Sequence, residues 1–122
     1  MPAARLRWPW LAAAVVAVVV QLVLVYAPSS GGPPLFPNAD KVIHVVIFAL
    51  PVGLAILARL PWLPVVAVMA AHAPVSEIVQ GTMLSQRSGD VWDAVADLVG
   101  VALGWFVATR LLPREKLTQL DA

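Results

Sequence analysis

Residues 92–112 read WDAVADLVGVALGWFVATRLL, and this run decides the fold. Apart from Asp93, Asp97, Thr109 and Arg110 it is apolar. At about 1.5 Å per residue it is long enough to cross the roughly 30 Å hydrocarbon core of a bilayer. Mapped at about 100° per residue, Asp93, Asp97, Gly100 and Gly104 fall with the preceding Asp90 inside a sector of about 80°. A single stripe thus carries carboxylates above glycines. Gly100 and Gly104, extended upward by Ala96, form a small-xxx-small seam that lets another helix approach closely. The acids are therefore expected to point at that neighbouring helix and away from lipid.

Similar runs lie upstream. Residues 10–27 are nearly pure Ala, Val and Leu, with Gln21 the only polar interior residue. Residues 42–60 contain Pro51. Residues 62–80 carry Pro64 in their first turn and Pro74 inside. Between the first two runs, the Pro- and Gly-rich residues 28–38 cannot be helical, and residues 81–91 make a polar connection. The expected fold is all-α: a polytopic membrane protein, a bundle of four transmembrane helices forming a single domain over residues 1–122.

Composition agrees. The chain is 61% hydrophobic with a mean hydropathy of +0.86, whereas a small soluble domain buries only about two-thirds of its surface. The lipid bilayer is the expected partner for the remainder. Arg5 and Arg7 before an apolar run suggest a secretory signal, but residues 10–27 exceed the roughly 7–15 of a signal core, and Pro28 follows the candidate cleavage point. A retained membrane helix is expected. A net charge of +1 gives no reason to expect nucleic acid, and the absence of cysteine excludes disulfides, thiolate metal sites and cysteine nucleophiles.

Basic residues set the expected orientation. With the N-terminus inside, Arg5, Arg7, Arg59, Arg110, Arg114 and Lys116 are cytoplasmic, and only Lys41 and Arg87 lie outside. Both termini are then cytoplasmic. Asp40, Glu77, Asp90, Asp93 and Asp97 fall outside or in the outer half.

Depth concentrates the polar groups further. His44, Glu77 and Asp97 belong to different spans, yet each sits roughly 6–8 Å below the same outer boundary. Ionisable groups inside a membrane are unfavourable by about 2.5–3.5 kcal/mol at mid-span and less near the ends, so their convergence points to a site. Each also has a structural reading. Glu77 could bond Arg87 and pin a hairpin, His44 could be a buried imidazole satisfied by a carbonyl, and the glycines could serve packing alone. His72, near mid-membrane and close to Pro74, is expected to be structural. The first span, which lacks charge, is expected to flank the cluster without contributing to it.

The spacing Asp40-Lys41-x-x-His44, then Glu77-x-x-Gln80, then Arg87-x-x-Asp90-x-x-Asp93-x-x-x-Asp97-x-x-Gly100-x-x-x-Gly104 resembles the VanZ-like family over residues 40–104. These are small bacterial membrane proteins named after a teicoplanin-resistance accessory protein. The resemblance implies a bacterial cytoplasmic membrane, a cell-envelope role and a link to glycopeptide resistance. It brings no established reaction. Asp97 stands where the family more often has asparagine.

Two functions follow from the residues. In the first, His44, Glu77, Asp93 and Asp97 are candidate catalytic groups acting on a lipid-linked or cell-wall precursor, with Glu77 or His44 as general base. Asp40, Lys41, Gln80, Arg87 and Asp90 would contact the substrate, Arg87 by bidentate bonds to a phosphate or carboxylate. The surplus of acids would repel an anionic head group. A divalent cation held by His44, Glu77, Asp93 and Asp97 would answer this, and the donor set favours Mg²⁺, Mn²⁺ or Ca²⁺ over zinc. In the second, the cluster is a non-catalytic module that locks the bundle or captures a ligand.

Overall fold

The computed structural model describes residues 5–27, 33–84 and 89–112. It contains four helices, α1 (Trp8–Tyr26), α2 (Ala39–Leu57), α3 (Trp62–Thr82) and α4 (Val91–Leu111). Each is long and apolar enough to cross a membrane. The chain is an all-α polytopic membrane protein. Valines and leucines of α1, including Val16, Val19 and Val23, are exposed along its outer face. An apolar surface of this extent suits lipid and not water.

α2 differs most from the sequence reading. It begins at Ala39 instead of residue 42 and ends at Leu57 instead of residue 60. At its start Asn38 takes a left-handed φ of 62°, which an Asn tolerates better than most residues. At its end Arg59 has φ 70°, and the Leu60 amide bonds back to the Ala55 carbonyl. The chain is then turned into Pro61, which cannot continue the helix. The earlier start brings Asp40 and Lys41 inside α2.

α2 is also the centre of the bundle. Its Phe48, Val52 and Ile56 are fully buried, and its most extensive contact is with α4. A Cβ on Gly100 would be driven into the Val45 carbonyl oxygen, and one on Gly104 into that of Ala49. The glycine seam of α4 therefore lies directly on the α2 backbone, where van der Waals contact and not hydrophobic exclusion holds membrane helices together. α1 packs mainly on α2 and α3 mainly on α4.

Pro51 leaves a gap that α1 fills. Lacking an N–H, Pro51 cannot bond the carbonyl of Ile47, and a buried orphan carbonyl is strongly disfavoured in a membrane protein. The Gln21 side-chain amide donates to that Ile47 oxygen at 2.9 Å, and Gln21 is fully buried. At the other end of the bundle the Arg7 amide donates to the Ala58 carbonyl at 3.0 Å, and the Arg59 guanidinium reaches the Arg5 carbonyl. Arg5, Arg7 and Arg59 thus share one end, opposite the acidic residues.

Candidate functional site

The acidic end is built from the starts of α2 and α4 and the end of α3. Its positioning begins with two glycines. Gly89 lies so close to Gly81 that a Cβ on either would be 3.3 Å from the Cα of the other. This close return brings the Asp90 amide to Glu77, where it donates to Oε2 at 2.9 Å. Asp90 then caps α4 by accepting from the Trp92 amide at 2.9 Å.

The cluster has an outer and an inner layer. In the outer layer, the Lys41 ammonium donates to Asp40 at 2.7 Å, to Asp90 at 2.8 Å and to Asp93 at 2.5 Å. Three donors meet three carboxylates, which is the full capacity of a lysine. Lys41 beside Asp90, then the Trp92 amide, holds the Asp90 carboxyl below the usual carboxylate range.

In the inner layer, one helical turn further along α2, His44 Nδ1 lies 2.6 Å from Asp97 Oδ1. His44 Nε2 lies 3.5 Å from Asp93 Oδ2. His44 is 9%, Glu77 8% and Asp97 0% exposed, so these groups are nearly removed from solvent. Ligating atoms of His44, Glu77 and Asp97 all lie within 4.8 Å of one another. Glu77 Oε1 and Asp97 Oδ2 are buried with no hydrogen-bond partner. Among the described residues Gln21 Oε1 and Arg59 Nε are likewise buried without a partner, but only the Glu77 and Asp97 oxygens belong to carboxylates.

His44, Glu77, Asp93 and Asp97 therefore come together, with Lys41 and Asp90 directly above them. Arg87 lies outside the described residues. Asp40 bonds Lys41 from the exposed edge of the cluster, its side chain 58% exposed, and the stripe of α2 that faces α4 runs through Lys41, His44 and Phe48. Gln80, expected to contact substrate, is 2% exposed, and its amide donates to the Val25 carbonyl at 2.7 Å. It serves the last turn of α1, whose final carbonyls have no partner within the helix.

α1 supplies none of His44, Glu77, Asp93 or Asp97, but it bonds the helices that carry them. Besides Gln21 and Val25, its Tyr26 hydroxyl lies 2.9 Å from His72 Nε2, and the His72 ring stacks on Phe48 at 5.5 Å between centroids. The sequence signal for this role was Gln21, a lone amide in an apolar helix that needs a polar partner on another helix.

Chemically, the inner layer pairs an imidazole oriented by a buried carboxylate with a second carboxylate that has a free oxygen. Such a group can exchange protons or hold a cation. In comparisons with known proteins, the chain matches no family model, no curated protein and no solved structure.

Proposed function

We propose that this protein is a VanZ-like membrane protein of the bacterial cytoplasmic membrane that binds or acts on a cell-envelope lipid or cell-wall precursor. The reading places the acidic end at the extracytoplasmic face and both termini in the cytoplasm, in keeping with the six-to-two distribution of basic residues. His44, with Asp97 orienting its ring, and Glu77 are the candidate acid–base groups. Lys41 and its carboxylates form the rim that a head group would meet. A link to glycopeptide resistance rests on the family resemblance.

One observation carries this reading: the carboxylates of Glu77 and Asp97, each with a buried oxygen that has no hydrogen-bond partner, converge with the His44 imidazole. Gln21, which only joins helices, also leaves a buried oxygen unpartnered; what sets Glu77 and Asp97 apart is that both are carboxylates within reach of one imidazole. The second reading, a non-catalytic lock, is favoured by Lys41, which is fully engaged with three carboxylates. The two readings divide the cluster, the lock describing the outer layer and the site the inner.

The test is lipid and cell-wall precursor profiling, with teicoplanin susceptibility, in a deletion strain complemented by wild type or Glu77→Gln. Glu77→Gln retains the shape and one acceptor oxygen. It is expected to match the deletion in profile while keeping wild-type abundance and thermal stability. A wild-type profile from Glu77→Gln would leave the lock as the whole explanation.

A further inference from the structure

The inner layer has a charge problem that the outer layer does not. Lys41 is fully engaged by Asp40, Asp90 and Asp93. Glu77 and Asp97 are more than nine-tenths buried, and among the described residues neither is paired with a Lys or Arg. Removing a carboxylate from water costs several kcal/mol unless it is compensated. With His44 neutral, as a metal ligand must be, the two carboxylates carry −2, the charge that one dication cancels.

Geometry meets the same requirement. Ligands around one ion at about 2.1–2.4 Å cannot be more than about 4.8 Å apart. The donor atoms of His44, Glu77 and Asp97 satisfy this limit. The unpartnered Glu77 Oε1 and Asp97 Oδ2 are free to bond a cation. The other Glu77 oxygen is held by the Asp90 amide, an outer-shell bond of the kind that orients metal ligands.

We propose that His44, Glu77 and Asp97 form a divalent-cation site, with Mn²⁺ the best-matched ion. Two carboxylate oxygens and one imidazole nitrogen suit Mn²⁺ better than Ca²⁺, which prefers oxygen alone, and no thiolate is present to select zinc. The second acidic group, Asp40, Asp90 and Asp93, is not a competing site, because the Lys41 ammonium occupies its centre. Three protein ligands leave positions open to an anionic oxygen. The inference rests on the head-group reading for one point only, that the open positions take a phosphate oxygen, and it makes His44 and Glu77 ligands in place of acid–base groups.

The experiment uses the full chain in phosphatidylcholine nanodiscs, titrated with Mn²⁺ and followed by electron paramagnetic resonance. Wild type is expected to bind one Mn²⁺ saturably, with electron spin-echo modulation from an imidazole ¹⁴N. Glu77→Gln and Asp97→Asn should each weaken binding at least about tenfold, while Asp40→Asn stays within about threefold. His44→Gln should lose the ¹⁴N modulation even where some Mn²⁺ still binds, which keeps the test decisive if Asp97→Asn fails to fold. Absence of saturable binding by wild type, with infrared bands of protonated carboxyls, would overturn the site and assign its neutralisation to protons. Equal weakening by Asp40→Asn would also overturn it. Adding phosphatidic acid to the nanodiscs should introduce ³¹P coupling to the bound Mn²⁺. Intact ¹⁴N modulation without ³¹P coupling would refute the head-group reading and leave the ion site standing.

Discussion

His44 on α2 and Asp97 on α4 meet across a helix pair whose backbones are brought together one turn below by Gly100. Their 2.6 Å separation depends on that approach, since Gly100 lies against the Val45 carbonyl immediately after His44 in sequence. Packing and polar chemistry are therefore coupled along one stripe of α4. A helix held away from α2 by a single methyl group would carry Asp97 out of reach of the imidazole.

The glycines should differ in their tolerance. Gly100→Ala and Gly104→Ala force a methyl group against a backbone carbonyl, and each is expected to destabilise the bundle by about 1–3 kcal/mol. At Gly53 the nearest atom to an added Cβ is 3.5 Å away, an ordinary contact. Gly53→Ala should be neutral or stabilising, because alanine is favoured over glycine in a helix by up to about 1 kcal/mol. Thermal unfolding in detergent measures all three, and equal losses would contradict the seam.

Lys41 should behave as a hub. Lys41→Met leaves three carboxylates facing one another, and stability is expected to fall by about 1.5–3 kcal/mol, the range for charged hydrogen bonds. Asp93→Asn in the Lys41→Met background should recover part of the loss by relieving repulsion, as coupling between contacting residues requires. Strict additivity of the two substitutions, read from chemical denaturation, would show that the contacts are independent.

Acid should act through Asp90. Its carboxyl titrates below the ordinary value of about 3.9 because of Lys41 and the Trp92 amide. A depressed carboxyl stabilises the fold above the unfolded-state value, and that contribution is lost as pH falls through the folded-state value. Asp90→Asn keeps a good helix cap while removing the charge. Wild type should therefore exceed Asp90→Asn in Tm at pH 7, with the gap closing below about pH 4. A gap that persists unchanged to pH 2 would rule out the charge as its origin.

Orientation is testable because the chain has no cysteine of its own. A membrane-impermeant maleimide applied to intact cells should label Leu35→Cys, which is fully open at the acidic end, and should not label Thr118→Cys. The reverse pattern would put the candidate site in the cytoplasm and redirect the search for its substrate.

Much of the architecture could be read from one-dimensional patterns. The spans follow from apolar length, and the α4 stripe follows from helical periodicity, since Asp93, Asp97, Gly100 and Gly104 share a face in any straight helix. The common depth of His44, Glu77 and Asp97 needed only the helical rise. Partners joined by tertiary contact were less legible. Starting α2 at residue 42 left Lys41 in a loop, which concealed that its side chain reaches α4. Glu77 is bonded by the backbone amide of Asp90, and no residue type signals a backbone donor. The role of Gln21 was readable in principle, because Pro51 necessarily frees the Ile47 carbonyl and something buried must bond it.

The contact between α2 and α4 joins helices separated in sequence by α3, and this bears on the order of assembly during synthesis. Gln21 can find Ile47 as soon as α2 has entered the membrane, so an α1–α2 hairpin can form early. His44 and Glu77 must then wait in the bilayer until Asp97 and the Asp90 amide arrive with α4. A chain that has made only α1 to α3 lacks the Asp90 amide that bonds Glu77 and the Asp97 carboxylate that bonds His44. The polar cluster can therefore close only once α4 has packed against α2.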